Sequence, residues 1–199
     1  MDIKERLEKI RKIIETDSFF NQQSLGGELN FHIFDYAPED ELIVRNYVKD
    51  FLKSYLHENS KIKVIEFDLF EMMLEILHNK KVSNSNILDM SIDVEDEEGT
   101  SELIDSLTPI LSATAFTEII KEKVVGYNLV LLTGVGKAYP LIRSHTILNN
   151  LHTVLDNVPV IMFYPGRYDQ KDLKLFNNGC SFAGLKDDNY YRAFKLVEN

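Results

Sequence analysis

The run Val130-Leu131-Leu132-Thr133-Gly134-Val135-Gly136-Lys137 constrains this chain more than any other. It reads as a buried apolar strand, a glycine turn, and the start of a helix carrying Arg143, His145 and Asn149. In open α/β sheets such a junction, at the carboxyl end of a strand, is where ligands and partners dock. The segment is close to a phosphate-binding loop but lacks two of its parts. That loop needs a glycine five residues before Gly-Lys and a Ser or Thr after it. Here those positions hold Leu131 and Ala138, so one turn glycine and the magnesium-binding hydroxyl are absent. A dinucleotide fingerprint fails as well, because Tyr139 stands where its third glycine belongs. Gly134 and Gly136 are read as turn residues with positive φ, against the alternative of an anion site on N–H groups at a helix start.

The surrounding chain supplies more strand–helix units. Ile3, Leu7, Ile10 and Ile14 form one face of an amphipathic helix over about 2–16. Residues 29–36 read as a strand, and Pro38 opens a helix to about Leu56 with Leu42, Val48, Phe51, Leu52 and Tyr55 inward. A second strand over 61–67 ends at Asp68, an N-cap for a helix through Leu77. Residues 79–100 are polar and acidic, and are expected to be a flexible segment or insertion. One helix is expected over 101–123, a strand over 127–132, and a helix from Tyr139 to about Leu155. A strand over 159–164 closes at Pro165-Gly166, a short helix follows around Leu173–Phe176, and Cys180–Phe182 and 190–197 read as edge strands.

Strands alternating with helices predict a single α/β domain over 1–199, with a mainly parallel central sheet flanked by helices. The order suggests a degenerate nucleotide-binding scaffold, RecA-like or P-loop-like, without its phosphate-binding loop. In such a scaffold the first strand–helix junction would hold the phosphates. Here that junction is Asp35-Tyr36-Ala37-Pro38-Glu39-Asp40-Glu41. Four carboxylates repel a triphosphate by roughly 1 kcal/mol each in water, and Pro38 deletes an N–H group. No ATP hydrolysis is expected there.

Charge narrows the function classes. Residues 1–120 hold 12 Lys+Arg against 25 Asp+Glu, whereas residues 121–199 hold 10 against 7. A net charge of −10 argues against nonspecific nucleic-acid binding by the whole molecule. It suits an acidic face that docks a basic partner. No apolar run approaches the roughly 20 residues of a membrane span, and the amino terminus is a charged helix, unlike a secretory signal. The single cysteine, Cys180, permits no internal disulfide and no cysteine zinc cluster. A cytoplasmic protein without a cofactor is expected.

Catalytic constellations are sparse. Ser144 and His145 are neighbours on a helix and do not face each other. His145, Asn149 and His152 share one helical side but have no carboxylate on that helix before Asp156, so hydrogen bonds to the turn or a partner are the simpler role than a metal. Asp35, Glu66 and Asp68, near strand ends, could pair for acid/base work; a turn role for Asp35 and a cap role for Asp68 compete with that. Arg167, Lys171, Lys174, Lys186 and Arg192 with Tyr168, Tyr190 and Tyr191 mix charge and aromatics as interfaces do, or lie on solvated loops.

Several blocks are similar to a known family. Phe31-His32-Ile33-Phe34-Asp35-Tyr36-Ala37-Pro38-Glu39-Asp40-Glu41-Leu42-Ile43-Val44-Arg45, Asp68-Leu69-Phe70-Glu71, and Leu132-Thr133-Gly134-Val135-Gly136 through Ile142-Arg143-Ser144-His145 resemble the BrxB proteins of BREX bacteriophage-exclusion systems. So do Tyr164-Pro165-Gly166, Tyr168-Asp169 and Leu185 through Phe194. The resemblance implies a small bacterial cytoplasmic component of an anti-phage system, without an established enzymatic activity. It implies other BREX proteins as partners: first PglZ, then the large ATPase or the methyltransferase. The expectation is therefore a non-enzymatic adaptor, with Gly134, Gly136, Lys137, Arg143, His145, Asn149, Arg167, Tyr168, Tyr190, Tyr191 and Arg192 as candidates for ligand or partner binding. A small-ligand or nucleotide domain using the Gly134–Lys137 turn is the first alternative, and weak DNA binding the second.

Overall fold

In the computed structural model the described residues are 1–21, 30–55, 61–82, 85–151, 154–155, 158–169, 173–175 and 193–198. The amino-terminal helices are α1 (Ile3–Ile14) and α2 (Asp17–Asn21). Strand β1 (Phe31–Tyr36) leads through a 3₁₀ turn (Pro38–Asp40) to α3 (Glu41–Tyr55). Then come β2 (Val64–Asp68), α4 (Leu69–Asn79) and a hairpin of β3 (Lys81–Val82) and β4 (Ser85–Asn86). Three helices follow, α5 (Ile87–Glu98), α6 (Thr100–Leu107) and α7 (Ala113–Lys123). The remaining elements are β5 (Leu129–Thr133), α8 (Val135–Ala138), α9 (Ser144–Leu151), β6 (Val160–Tyr168), β7 (Leu173–Leu175) and β8 (Phe194–Lys195).

Five strands form a parallel sheet in the order β2-β5-β6-β1-β8. Side chains alternate across it, as the pleat requires. Leu129, Leu131, Ile161, Phe163 and Phe34 pack with α1 and α3 on one face. Val130, Leu132, Val160, Met162 and Ile33 pack with α4, α7, α8 and α9 on the other. This is the expected α/β architecture, a parallel sheet covered on both faces. All five strands point the same way, so Tyr36, Asp68 and Thr133 finish along one edge.

Prolines account for two corrections. The helix read over 101–123 is α6 and α7, separated by a turn holding Pro109. The helix read from Tyr139 is α8 and α9: Tyr139, ahead of Pro140, has φ −73° and ψ 140°, an extended conformation that stops α8. A third proline does the reverse. Pro165 does not close β6, which runs on to Tyr168; it sits in register with Tyr36, at the last step of the β1 ladder. Leu173–Leu175 is then an antiparallel strand on β6 rather than the expected helix. Residues 79–100, read as a flexible segment or insertion, carry the hairpin and α5, which Asn86 caps through Asp89 N–H and which buries Ile87 and Ser91.

Leu42 is 67% exposed instead of inward. The inward residues of α3 are Val44, Val48 and Phe51, and Leu42, two positions before Val44, projects about 200° away. Cys180–Phe182 and residues 190–192 lie outside the described residues, while Phe194–Lys195 is the expected edge strand, paired to His32 and Ile33.

Candidate functional site at the carboxyl edge of the sheet

Glu66 and Asp68 share one side of β2, two residues apart, with Phe67 turned into the core on the other. Asp68 is in register with Thr133 of β5. These strand ends and α3 enclose a small recess whose polar lining is Tyr36, Glu41, Arg45, Glu66, Asp68, Thr133 and Lys137, with Gly134 and the apolar Val44, Val48 and Phe163 completing it.

Its polar groups satisfy one another. Lys137 Nζ donates to Asp68 Oδ2 at 2.6 Å and stands 4.0 Å from Glu71 Oε1. Asp68 Oδ1 caps α4, accepting from the N–H groups of Phe70 (3.0 Å) and Glu71 (3.3 Å). The Thr133 hydroxyl donates to Glu66 Oε1 at 2.6 Å. Arg45 pairs with Glu41 Oε1 at 3.2 Å, and the Tyr36 hydroxyl donates to Glu41 Oε2. Burial, followed by the Glu41 carboxylate, pushes the Tyr36 phenol far above its ordinary range. Tyr36 therefore stays a neutral donor.

Gly134 is indispensable to this packing. Its φ is +71°, and a Cβ there would lie 2.0 Å from Asp68 Oδ1. The Asp68 carboxylate thus rests on the glycine while it holds Lys137. Gly136 departs from expectation: it lies inside α8 and not in the positive-φ region. The space left in the recess is about 30 Å³, room for a water molecule. Small-molecule pockets run to roughly 300–1,000 Å³.

Of the residues singled out from sequence, Glu66, Asp68, Gly134 and Lys137 line this recess, whereas Asp35 does not. Arg143 and Asn149 are exposed, at the start of α9 and on it. His145 falls in the first turn of α9, its side chain outside the described residues. Arg167 is exposed on β6, but its neighbour Tyr168 is 2% exposed, with its hydroxyl donating to Ala193 O at 2.7 Å; it is a core residue and not a surface contact. Tyr190, Tyr191 and Arg192 lie outside the described residues. Sequence reading missed Thr133 and Arg45, whose roles follow from strand register and from the i,i+4 spacing to Glu41.

Asp35 is the larger surprise, because it is no turn residue. It is 2% exposed within β1, accepts from Arg6 Nη2 (2.9 Å) and Lys195 Nζ (3.0 Å), and accepts from the Tyr168 N–H (3.1 Å). Its charge is answered from inside the chain. Among the described residues no three His, Cys, Asp or Glu side chains gather as a metal site would need, and no described helix is long and apolar enough to cross a membrane.

The family model described as "BREX protein BrxB" matches residues 65–196, which span this edge from Glu66 through Lys137. The chain belongs to the BrxB family. It is 42% identical over 200 residues to the BREX protein BrxB of Bacillus cereus (strain H3081.97), covering 98% of both chains. It is 32% identical over 197 residues to the BREX protein BrxB of Escherichia coli O9:H4 (strain HS), covering 96% of this chain and 90% of that one. No solved structure matches this chain.

Proposed function

We infer that this BrxB-family chain serves BREX anti-phage defence as a non-enzymatic adaptor, holding other BREX proteins, PglZ first among them. Its place is the bacterial cytoplasm. The observation that carries the reading is the state of Lys137. A lysine after a glycine turn serves a phosphate only if its ammonium is available, and here Asp68 holds it at 2.6 Å. Triphosphate entry would have to break that pair, displace the Asp68 carboxylate from Gly134, and open a recess of about 30 Å³. Beside the recess, Leu42 and Ile43 are 67% and 37% exposed on the first turn of α3. Apolar side chains at the carboxyl edge of a sheet suit a protein contact better than a polar ligand.

Copurification with tagged PglZ and with the other BREX proteins tests the reading. Retention by the wild-type chain, reduced in Leu42→Ser or Arg143→Ala, is the expected result. Failure of every BREX protein to copurify overturns it. A thermal-shift series with Mg-ATP addresses the nucleotide alternative, since a ligand at 100 times its Kd adds about 2.7 kcal/mol of stability. The expected result is no shift; a shift abolished by Lys137→Ala would replace the adaptor with a nucleotide-binding domain.

A further inference from the structure

Between Lys81 and Lys121 the sequence has no lysine or arginine and nine Asp or Glu. Eight of these carboxylates lie on α5 and α6, all exposed. Among the described residues none of the eight is in an ion pair.

Helix α5 breaks three local rules at once. Asp89, Asp93 and Glu97 repeat every four residues, so like charges face each other along the helix. Acids fill its last turn, where the negative end of the helix dipole opposes them and no basic residue compensates. Met90 and Ile92 are 39% and 59% exposed on the same element. At 100° per residue, Ile92, Asp96, Asp89, Asp93, Glu97 and Met90 form one continuous outward face, with four acids between two apolar margins. The inward side is Ile87 and Ser91. Features that each weaken an isolated domain collect where a partner would relieve them.

We propose that this face of α5 is a docking surface for a Lys/Arg-rich protein segment whose apolar side chains meet Ile92 and Met90. Charge complementarity selects the occupant: cations answer the four carboxylates and the dipole together, whereas nucleic-acid phosphates would be repelled. The proposal rests on the adaptor reading and names one surface through which it works.

The test uses the full chain and a fluorescein-labelled synthetic peptide of Lys, Arg and Leu, followed by anisotropy at two salt concentrations. The triple variant Asp93→Asn, Asp96→Asn, Glu97→Gln is expected to bind about tenfold more weakly, with its thermal midpoint unchanged or raised. Ile92→Ser is expected to weaken binding while leaving the charge intact. The matched triple Asp50→Asn, Glu118→Gln, Glu122→Gln, exposed elsewhere, is expected to bind as the wild type does. Equal losses in both triples, or a lowered midpoint in the α5 triple, would overturn the proposal. So would wild-type self-association that the α5 triple abolishes, because the occupant would then be a second copy. If a BREX protein still copurifies undiminished with the α5 triple, the surface is wrong and the adaptor survives. If none copurifies with the wild type, the adaptor fails and the peptide titration still decides the surface.

Discussion

Lys137 Nζ and Asp68 Oδ2 are 2.6 Å apart, and the other oxygen of the same carboxylate caps α4. One side chain therefore ties the start of α4 to the helix that follows β5. The ion pair is 29% and 22% exposed, so solvent takes part of its worth.

The two jobs of Asp68 can be separated. Asp68→Asn keeps a cap acceptor and loses the charge partner of Lys137; it should cost about 0.5–1 kcal/mol. Asp68→Ala loses the cap as well and should cost about 1 kcal/mol more. Urea denaturation of both variants checks the order, and equal losses would mean that the cap carries no weight.

Gly134→Ala should destabilise the chain by about 1–3 kcal/mol, because its φ of +71° is strained for any side chain. A second cost comes from the Asp68 carboxylate, 2.0 Å from the new Cβ. In a double-mutant cycle with Asp68→Ala the steric part should vanish and the backbone part persist. Strict additivity would show that the two residues do not meet.

Removing Asp35 should be far more damaging than removing an exposed acid. Asp35→Ala leaves Arg6 and Lys195, 8% and 9% exposed in their side chains, without their shared counter-ion. The expected loss is about 3–5 kcal/mol, read as a lowered urea midpoint, against less than about 0.5 kcal/mol for Asp50→Asn.

His32 gives the fold a pH dependence of known sign. Burial against Phe19 and Phe194 pushes its imidazole down to about 4 from 6.5. Between those values the unfolded chain binds the proton and the folded chain does not, so acid favours unfolding. The stability attached to a neutral His32 is complete above pH 6.5 and declines as pH falls toward 4, by about 3 kcal/mol in all. Unfolding at pH 7.5 and pH 5 should show that decline in the wild type and a smaller one in His32→Phe.

The parallel, two-sided sheet was legible because Leu129–Leu132 of β5 and Val160–Tyr164 of β6 are unbroken apolar runs, as strands buried on both faces are. The Asp68 cap was legible too, since Asp followed by an apolar helical pattern is a local signal. What could not be read depended on partners distant in sequence. Nothing near Asp35 announces that Arg6, 29 residues before it, and Lys195 will meet it. Acidity made residues 79–100 read as a flexible segment or insertion, although Ile87 lies in the core and Leu88 packs against it from α5. At the site, Lys137 and Gly134 stood out by motif, while the ion pair that occupies them needed the register between β2 and β5.

The Arg6–Asp35–Lys195 cluster joins α1, β1 and β8, the earliest helix, the first strand and the last strand described. A nascent chain can stack its middle strands beforehand, yet Asp35 waits for its second cation until position 195 has left the ribosome. Closure of this domain accordingly follows the synthesis of β8, and Lys195→Ala, which removes that cation, should loosen the seat of α1.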